Sequence, residues 1–353
     1  MTTTQSQPTP GVSPAASERA KRARAARPSG DRPLASISLD LDNLWSYMMI
    51  HGDEGWQAHP SYLDPLADIL TRTFDRHALR MTIFIVGRDA ALDKNRAALT
   101  AIAAQGHEIG NHSLSHEPWF HEYDRATTER EIGESEDHIF AATGQRPHGF
   151  RGPGFSLSKD ALEVLAARGY MYDASTFPTF LGPIARAYYF WSTRGMAEAE
   201  RKKRARLYGT LAEGLRPIDA YAWDVRGRGP GDPLLEIPVT TMPIARLPIH
   251  LSYVLYLASY SKLAARAYIE AALELCLRTK TEPSFLLHPL DFISGDRAKE
   301  IAFFPGMSLS TDFKLGVFDF TIGALRRRFE LVPMEVHAQA ILDDKKLAAR
   351  TLE

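Results

Sequence analysis

The sequence predicts an α/β fold with parallel strands arranged as a (β/α) barrel, and three observations carry that prediction. Short apolar runs alternate with helical patterns from Leu34 to about Ala174. Three of the helical patterns are closed by a glycine, at Gly106, Gly144 and Gly169. Polar residues recur where the strands would end, which in a barrel is the rim that carries chemistry.

Taken in order, Leu34 to Leu39 reads as a buried strand, and Pro60 to Leu79 as a helix with Leu63, Leu66, Leu70 and Phe74 on one face. Met81 to Val86 is a second strand, Asp89 to Gln105 a helix, and His107 to Gly110 a third strand. A helix from Thr127 to Thr143, a strand Gly149 to Arg151, a helix Lys159 to Arg168 and a strand near Tyr170 to Ala174 continue the rhythm. It breaks over 181–230, read as an inserted helical segment whose basic run Arg201 to Arg204 lies on a solvated face. The pattern returns at Leu234 to Pro238, Ser284 to His288 and Phe329 to Pro333, so 33–340 is expected as one domain, with 341–353 as a C-terminal tail. Leu247 to Ala265 is expected as an ordinary buried helix, since His250, its serines and Lys262 interrupt any membrane span.

Composition narrows the function classes. A chain of 353 residues with 44% hydrophobic content can bury a large core, and 42 basic against 43 acidic side chains give no global attraction to nucleic acid. The single cysteine, Cys276, reads as a packing residue and rules out a multi-thiolate metal site, so any metal must rely on nitrogen and oxygen donors. Residues 1–32 are polar, basic and without an apolar signal core, and are expected to be a disordered tail. That points to the cytoplasm, with weak peripheral contact at the inner face of the membrane as a second reading.

The chemistry centres on His112 and His116. Their spacing would put both rings on one face of a helical turn, and with one carboxylate they leave a coordination position open, as catalytic zinc-type sites do. Asp40 and Asp42 alternate with Leu41, so on a strand their carboxylates point the same way. Asp42 is assigned as the ligand and Asp40 as the base that takes a proton from water. Arg151 is expected to hold Asp40 in bidentate geometry, and His288 to protonate the leaving amine. Asp173 is expected on the same rim. His107 reads as a packed strand residue, while Trp45, Trp56 and Trp119 are candidates for an aromatic floor beneath a sugar ring.

The segments SLDLDN, GHEIGNHSLSH, GFRGPGFS, YDASTFP and LLHPLDF resemble, in order and context, the five motifs of polysaccharide deacetylases, the NodB-homology enzymes of carbohydrate esterase family 4. The resemblance covers about Ser36 to Pro178 and resumes from Leu234 to Phe292. It implies a distorted (β/α) barrel of the NodB type, a divalent metal, usually Zn2+, and removal of an acetyl or similar group from an amino sugar. By position Asp40 matches the family's base, Asp42, His112 and His116 its metal ligands, Arg151 the residue bracing the base, and His288 the general acid.

Departures are visible. Leu41 separates the two acids, resembling an Asp-x-Asp subgroup, and Gly154 stands where the family often has the Tyr whose amide binds the oxyanion. Phe177-Pro178 replaces an Asp-Trp pair that tunes the histidine, leaving Asp173, or Asp224 beside Trp223, to orient His288. HPLDF resembles deacetylases of exopolysaccharide clusters, which favours a glycan or glycolipid substrate. Two other classes compete, a nucleotide-sugar glycosyltransferase using Asp-x-Asp and a glycan-binding scaffold with a relic site, and hydrolysis of cyclic amides or formamides on the same barrel is a variant of the first reading.

Overall fold

The structure is a computed structural model and describes residues 14–180, 211–229, 232–344 and 347–352. Most of the expected insertion at 181–230, with its basic run Arg201 to Arg204, lies outside the described residues. The strands are β1 (Leu34–Leu41), β2 (Thr82–Ile85), β3 (Glu108–Asn111), β4 (Gly149–Phe150), β5 (Tyr172–Asp173), β6 (Tyr221–Trp223), β7 (Leu234–Glu236), β8 (Ser284–Leu287), β9 (Glu330–Val332) and β10 (Ala349–Arg350). They form one curled sheet in the order β10-β6-β7-β5-β4-β3-β2-β1-β8, with β9 also on β1. Pairing is parallel except between β6 and β7. Just beyond β7, Val239 N–H donates to Thr176 O and Thr240 N–H to Ser284 O, so the curl returns onto β8 as a distorted barrel.

Strand alternation builds two environments from one sequence. On β1, Ala35, Ile37, Leu39 and Leu41 join the core beneath the outer helices. The alternate residues, Ser36, Ser38 and Asp40, face the barrel interior, where Ser36 meets His337 and Ser38 meets Arg151. Phe84 from β2 fills the interior beside Tyr172 and lies under the Arg151 guanidinium, 4.4 Å from ring centre to Cζ. Its neighbour on β3 must be glycine, since a Cβ at Gly110 would stand 2.4 Å from the Phe84 ring.

Several expectations are corrected. Helix Pro14–Ala26 forms inside the stretch expected to be a disordered tail, and it packs on helix Met334–Asp344. Arg24 makes paired bonds to Asp343 at 2.7 and 2.8 Å, Arg27 pairs with Asp344 at 2.5 Å, and Arg19 is 9% exposed. The acidic partners lie more than three hundred residues away in sequence, beyond the reach of any local pattern. The C-terminal tail expected at 341–353 instead finishes that helix and adds β10 to the sheet. Leu247 to Ala265 is two helices, Leu251–Tyr260 and Lys262–Thr279, because Ser261 is extended and caps the second by accepting from Ala264 N–H. Asp89 to Gln105 is likewise divided into Gly87–Ala91 and Arg96–Ala104. Among the described residues no helix is long and apolar enough to cross a membrane. Cys276 is fully buried, and burial pushes its thiol up to about 12.

Candidate metal centre

β1 ends at Leu41 and sends Asp42 to the rim on the same face as Asp40. The turn that follows is tightly held. Asn43 caps helix Leu44–His51, accepting from Leu44 N–H at 2.8 Å, and donates to Asp89 at 2.7 Å. Tyr62 donates to the Asp42 carbonyl at 2.6 Å. Asp89 is buried beneath this turn, where burial pushes its carboxyl up to about 6.

His112 and His116 leave β3 on an irregular loop, which corrects the expected helical turn. Ser113 and His116 adopt positive φ, 63° and 52°, so the rings converge through two left-handed residues. Buried Glu131 holds the loop, accepting from Ser115 N–H at 2.9 Å and Ser115 Oγ at 2.8 Å and from Leu114 N–H at 3.2 Å. Asn111 accepts from Ser113 N–H at 2.9 Å and Ser135 Oγ at 2.7 Å. A non-glycine residue in that backbone region costs on the order of 1 kcal/mol, which these bonds offset.

One carboxylate oxygen gathers the site. His116 Nε2 lies 3.0 Å and His112 Nε2 3.3 Å from Asp42 Oδ1, and one donor atom from each residue falls within 4.8 Å of the others. All three side chains are buried. Burial alone would raise the Asp42 carboxyl, but His116 and His112 outweigh it and hold the group well below the usual range. For His112, burial is outweighed by Asp40 and Asp42, and its pKa rises. Nδ1 of His112 lies 2.6 Å from the Arg151 carbonyl oxygen, so it carries the proton and Nε2 is the free donor. Two imidazoles and a carboxylate, dry and oriented in this way, fit a zinc-type cation.

Asp40 stands beside this cluster. Arg151, fully buried, donates from Nη1 to Asp40 Oδ1 at 2.6 Å and to Ser38 at 2.9 Å, and from Nε to the Ala174 carbonyl at 3.0 Å. The contact is single rather than the expected bidentate one, because the remaining guanidinium edges are engaged elsewhere. His288 follows β8 and is half-buried. Among the described residues, neither Asp173 nor Asp224 bonds to it. The residues that hold it are Ser252, whose Oγ lies 3.2 Å from Nδ1, and Asp291, which accepts from Ser252 at 2.7 Å and from His288 N–H at 2.8 Å. The His-x-x-Asp spacing of a capping box was a sequence signal for Asp291; nothing local marked Ser252.

Other candidates separate. Asp173 does not reach the rim: it is the cross-strand partner of Glu236, opposite to interior Tyr172 and Leu235, and bonds Ser175 at 2.5 Å. Burial raises both carboxyls of that pair. Trp45 is 1% exposed and donates to Asp89 at 3.0 Å, so it is packing rather than an open floor. Trp56 stacks on it. Trp119 is half-buried on the loop beyond His116. Gly154 is exposed at the turn after Arg151, with φ 59°. His107 packs edge-on against Phe74. Tyr47, which sequence reasoning missed, donates to Asp42 Oδ2 at 3.2 Å.

With this geometry in place, comparison with known proteins shows what the chain is similar to. Residues 49–172 match the family described as Polysaccharide deacetylase. The matched stretch holds His112, His116 and Arg151 and stops short of Asp40, Asp42 and His288. A Mycobacterium smegmatis protein described as a polysaccharide deacetylase superposes with TM-score 0.57 at 16% identity, over 93% of this chain and 97% of that one. A Pseudomonas aeruginosa PAO1 protein, also described as a polysaccharide deacetylase, gives TM-score 0.55 at 16% identity, covering 89% and 92%. Puue allantoinase gives 0.55 at 15%, covering 90% and 95%. No curated protein matches in sequence. About a third of the chain is thus similar to the polysaccharide deacetylase family, and the barrel is the fold shared with these solved structures.

Proposed function

We propose that this chain is a metal-dependent hydrolase that removes an N-acyl group, N-acetyl foremost, from an amino sugar in a polysaccharide, oligosaccharide or glycolipid. The observation that carries this reading is the convergence of His112 and His116 on one oxygen of Asp42, with a second acid, Asp40, held on the same strand face by Arg151. A divalent cation held by Asp42, His112 and His116, with Zn2+ as the proposed ion, would supply Lewis acidity toward an amide carbonyl and make water easier to deprotonate.

The chain's own residues do the rest. Asp40 accepts the proton of the attacking water at its carboxylate, and Arg151 and Ser38 fix where that carboxylate points. The Gly154 amide, on the turn after Arg151, is the proposed donor to the carbonyl oxygen as negative charge develops there. His288 delivers a proton from Nε2 to the departing amine. Ser252 and Asp291 engage the Nδ1 edge of His288, which leaves Nε2 for the substrate. Trp119, half-buried beyond His116, is the aromatic side chain proposed to border the sugar.

His116→Ala tests the reading. Bound metal measured by mass spectrometry and acetate released from N-acetylated amino-sugar oligomers should both disappear, because only two donors remain. A variant releasing acetate as fast as the parent would end the proposal. A glycosyltransferase reading of Asp40 and Asp42 leaves both histidines without a role. Cyclic amides and formamides offered to the same protein decide whether the centre acts on sugars alone.

A further inference from the structure

An unbroken path of rings leads out of the candidate site. Phe155, on the turn next to Gly154, lies 5.1 Å from Phe177, and Phe177 lies 5.5 Å from His250, ring centre to ring centre. His250 is 6.1 Å from His288 and 6.4 Å from Tyr253. Tyr253 then leads to Tyr256 at 6.3 Å and Tyr256 to Tyr260 at 5.3 Å.

The last three rings belong to helix Leu251–Tyr260, at positions i, i+3 and i+7, which share one face. Leu251, Val254, Leu255 and Ala258 anchor the opposite face in the core. Tyr253 also packs against Tyr268, 5.7 Å away, which is itself tied to the Pro248 carbonyl. Tyr256 is 52% and Tyr260 77% exposed, although burying tyrosine rings is favourable. The helix stops at Ser261, leaving Tyr260 at its open end.

The stretch His250 to Tyr260 contains no Asp, Glu, Lys or Arg. Burial, with His288 nearby, pushes His250 down to about 3, so that ring is neutral as well. A track without charge, whose three tyrosine rings each end in a hydroxyl, suits a neutral ligand with apolar ring faces and hydroxyl edges. It does not suit a nucleic acid or an anionic membrane surface, both of which call for cations.

We propose that Tyr253, Tyr256 and Tyr260 form a binding track for successive sugar units of an extended glycan whose reacting unit lies at His288. The substrate is then a chain longer than the unit being deacylated, gripped on the side of helix Leu251–Tyr260. This inference rests on the amino-sugar reading above and adds to it the length and path of the substrate.

The test uses the full chain loaded with zinc and oligomers of N-acetylglucosamine, short (dimer) and long (hexamer). Calorimetric binding and acetate release are measured for the parent, for Tyr256→Ala/Tyr260→Ala, and for Tyr256→Phe/Tyr260→Phe, with thermal melting as the check on folding. Two lost stacking contacts predict roughly a tenfold rise in Kd and KM for the hexamer, with kcat unchanged and the dimer unaffected. The phenylalanine pair should stay near the parent. Equal binding of both lengths by the parent, no binding of either, or equal weakening of both by the alanine pair would overturn the track. So would tyrosine-dependent flotation with phosphatidylcholine/phosphatidylglycerol vesicles, which would assign the face to a membrane. If length-dependent binding persists while no oligomer releases acetate, the deacylase reading fails and the track stands. If acetate is released with length-independent KM, the reverse holds.

Discussion

Arg151 and His112 are joined by a 2.6 Å hydrogen bond from imidazole Nδ1 to the Arg151 carbonyl oxygen, while the Arg151 guanidinium grips Asp40 at the same distance. One residue thus orients a metal-type ligand through its main chain and the neighbouring acid through its side chain. The two functions are separable by mutation.

Arg151→Met keeps the carbonyl and removes the guanidinium. Metal content should be retained while kcat/KM falls about a hundredfold or more, because Asp40 loses its fixed orientation. Removing one member of a buried ion pair should also cost about 3–5 kcal/mol in denaturant unfolding. Loss of metal together with activity would contradict the division of labour.

Ser252→Ala removes the hydroxyl beside Nδ1 of His288 but leaves Asp291 bonded to the His288 backbone. A hydrogen bond of this kind contributes about 1–1.5 kcal/mol, so kcat should fall about tenfold with KM unchanged. Metal content and melting temperature should stay at the parent's values, because only the hold on the ring is lost. An unchanged kcat would show that Ser252 has no influence on proton delivery.

Glu108 predicts a pH dependence of stability away from the metal centre. Burial, followed by the nearby Glu335, raises its carboxyl from 4.5 to about 7. The unfolded chain ionises first, so the stability associated with the protonated group is complete below 4.5 and is lost as pH rises through about 7. Glu108→Gln stays neutral throughout. Urea unfolding at pH 5 and pH 8 should show the variant gaining on the parent by up to about 3 kcal/mol at the higher pH. A constant difference between the proteins would refute the shift.

Deleting residues 1–32 should destabilise the barrel by about 1–3 kcal/mol without altering metal binding. Exposed pairs such as Arg24 with Asp343 contribute little of this. Most should come from Arg19, buried near Glu335 and Glu108, and from Ala23. Unchanged melting of the truncated chain would show the helix to be dispensable.

Most of the barrel was legible in the sequence. Buried parallel strands read as short apolar runs, and their alternation with glycine-stopped helices needs only local rules. The same parity rule placed Asp40 and Asp42 on one face. Distant partners were not legible: the acids that anchor the N-terminal helix, the Glu131 that holds the histidine loop, and the Ser252 beside His288 have no local signature. Asp173 failed for a narrower reason, since a strand of two residues gives no alternation from which to infer its face.

The sequence by itself determined the order of strands and helices and the inventory of metal-type donors, because backbone periodicity and side-chain chemistry are properties of neighbouring residues. Tertiary structure alone decided that His112 and His116 meet through a left-handed loop, that Arg151 serves both of its neighbours, and that a row of tyrosines leads away from His288. Those outcomes depend on surfaces brought together from segments far apart in the chain, where packing and buried hydrogen bonds, not local preference, select the geometry.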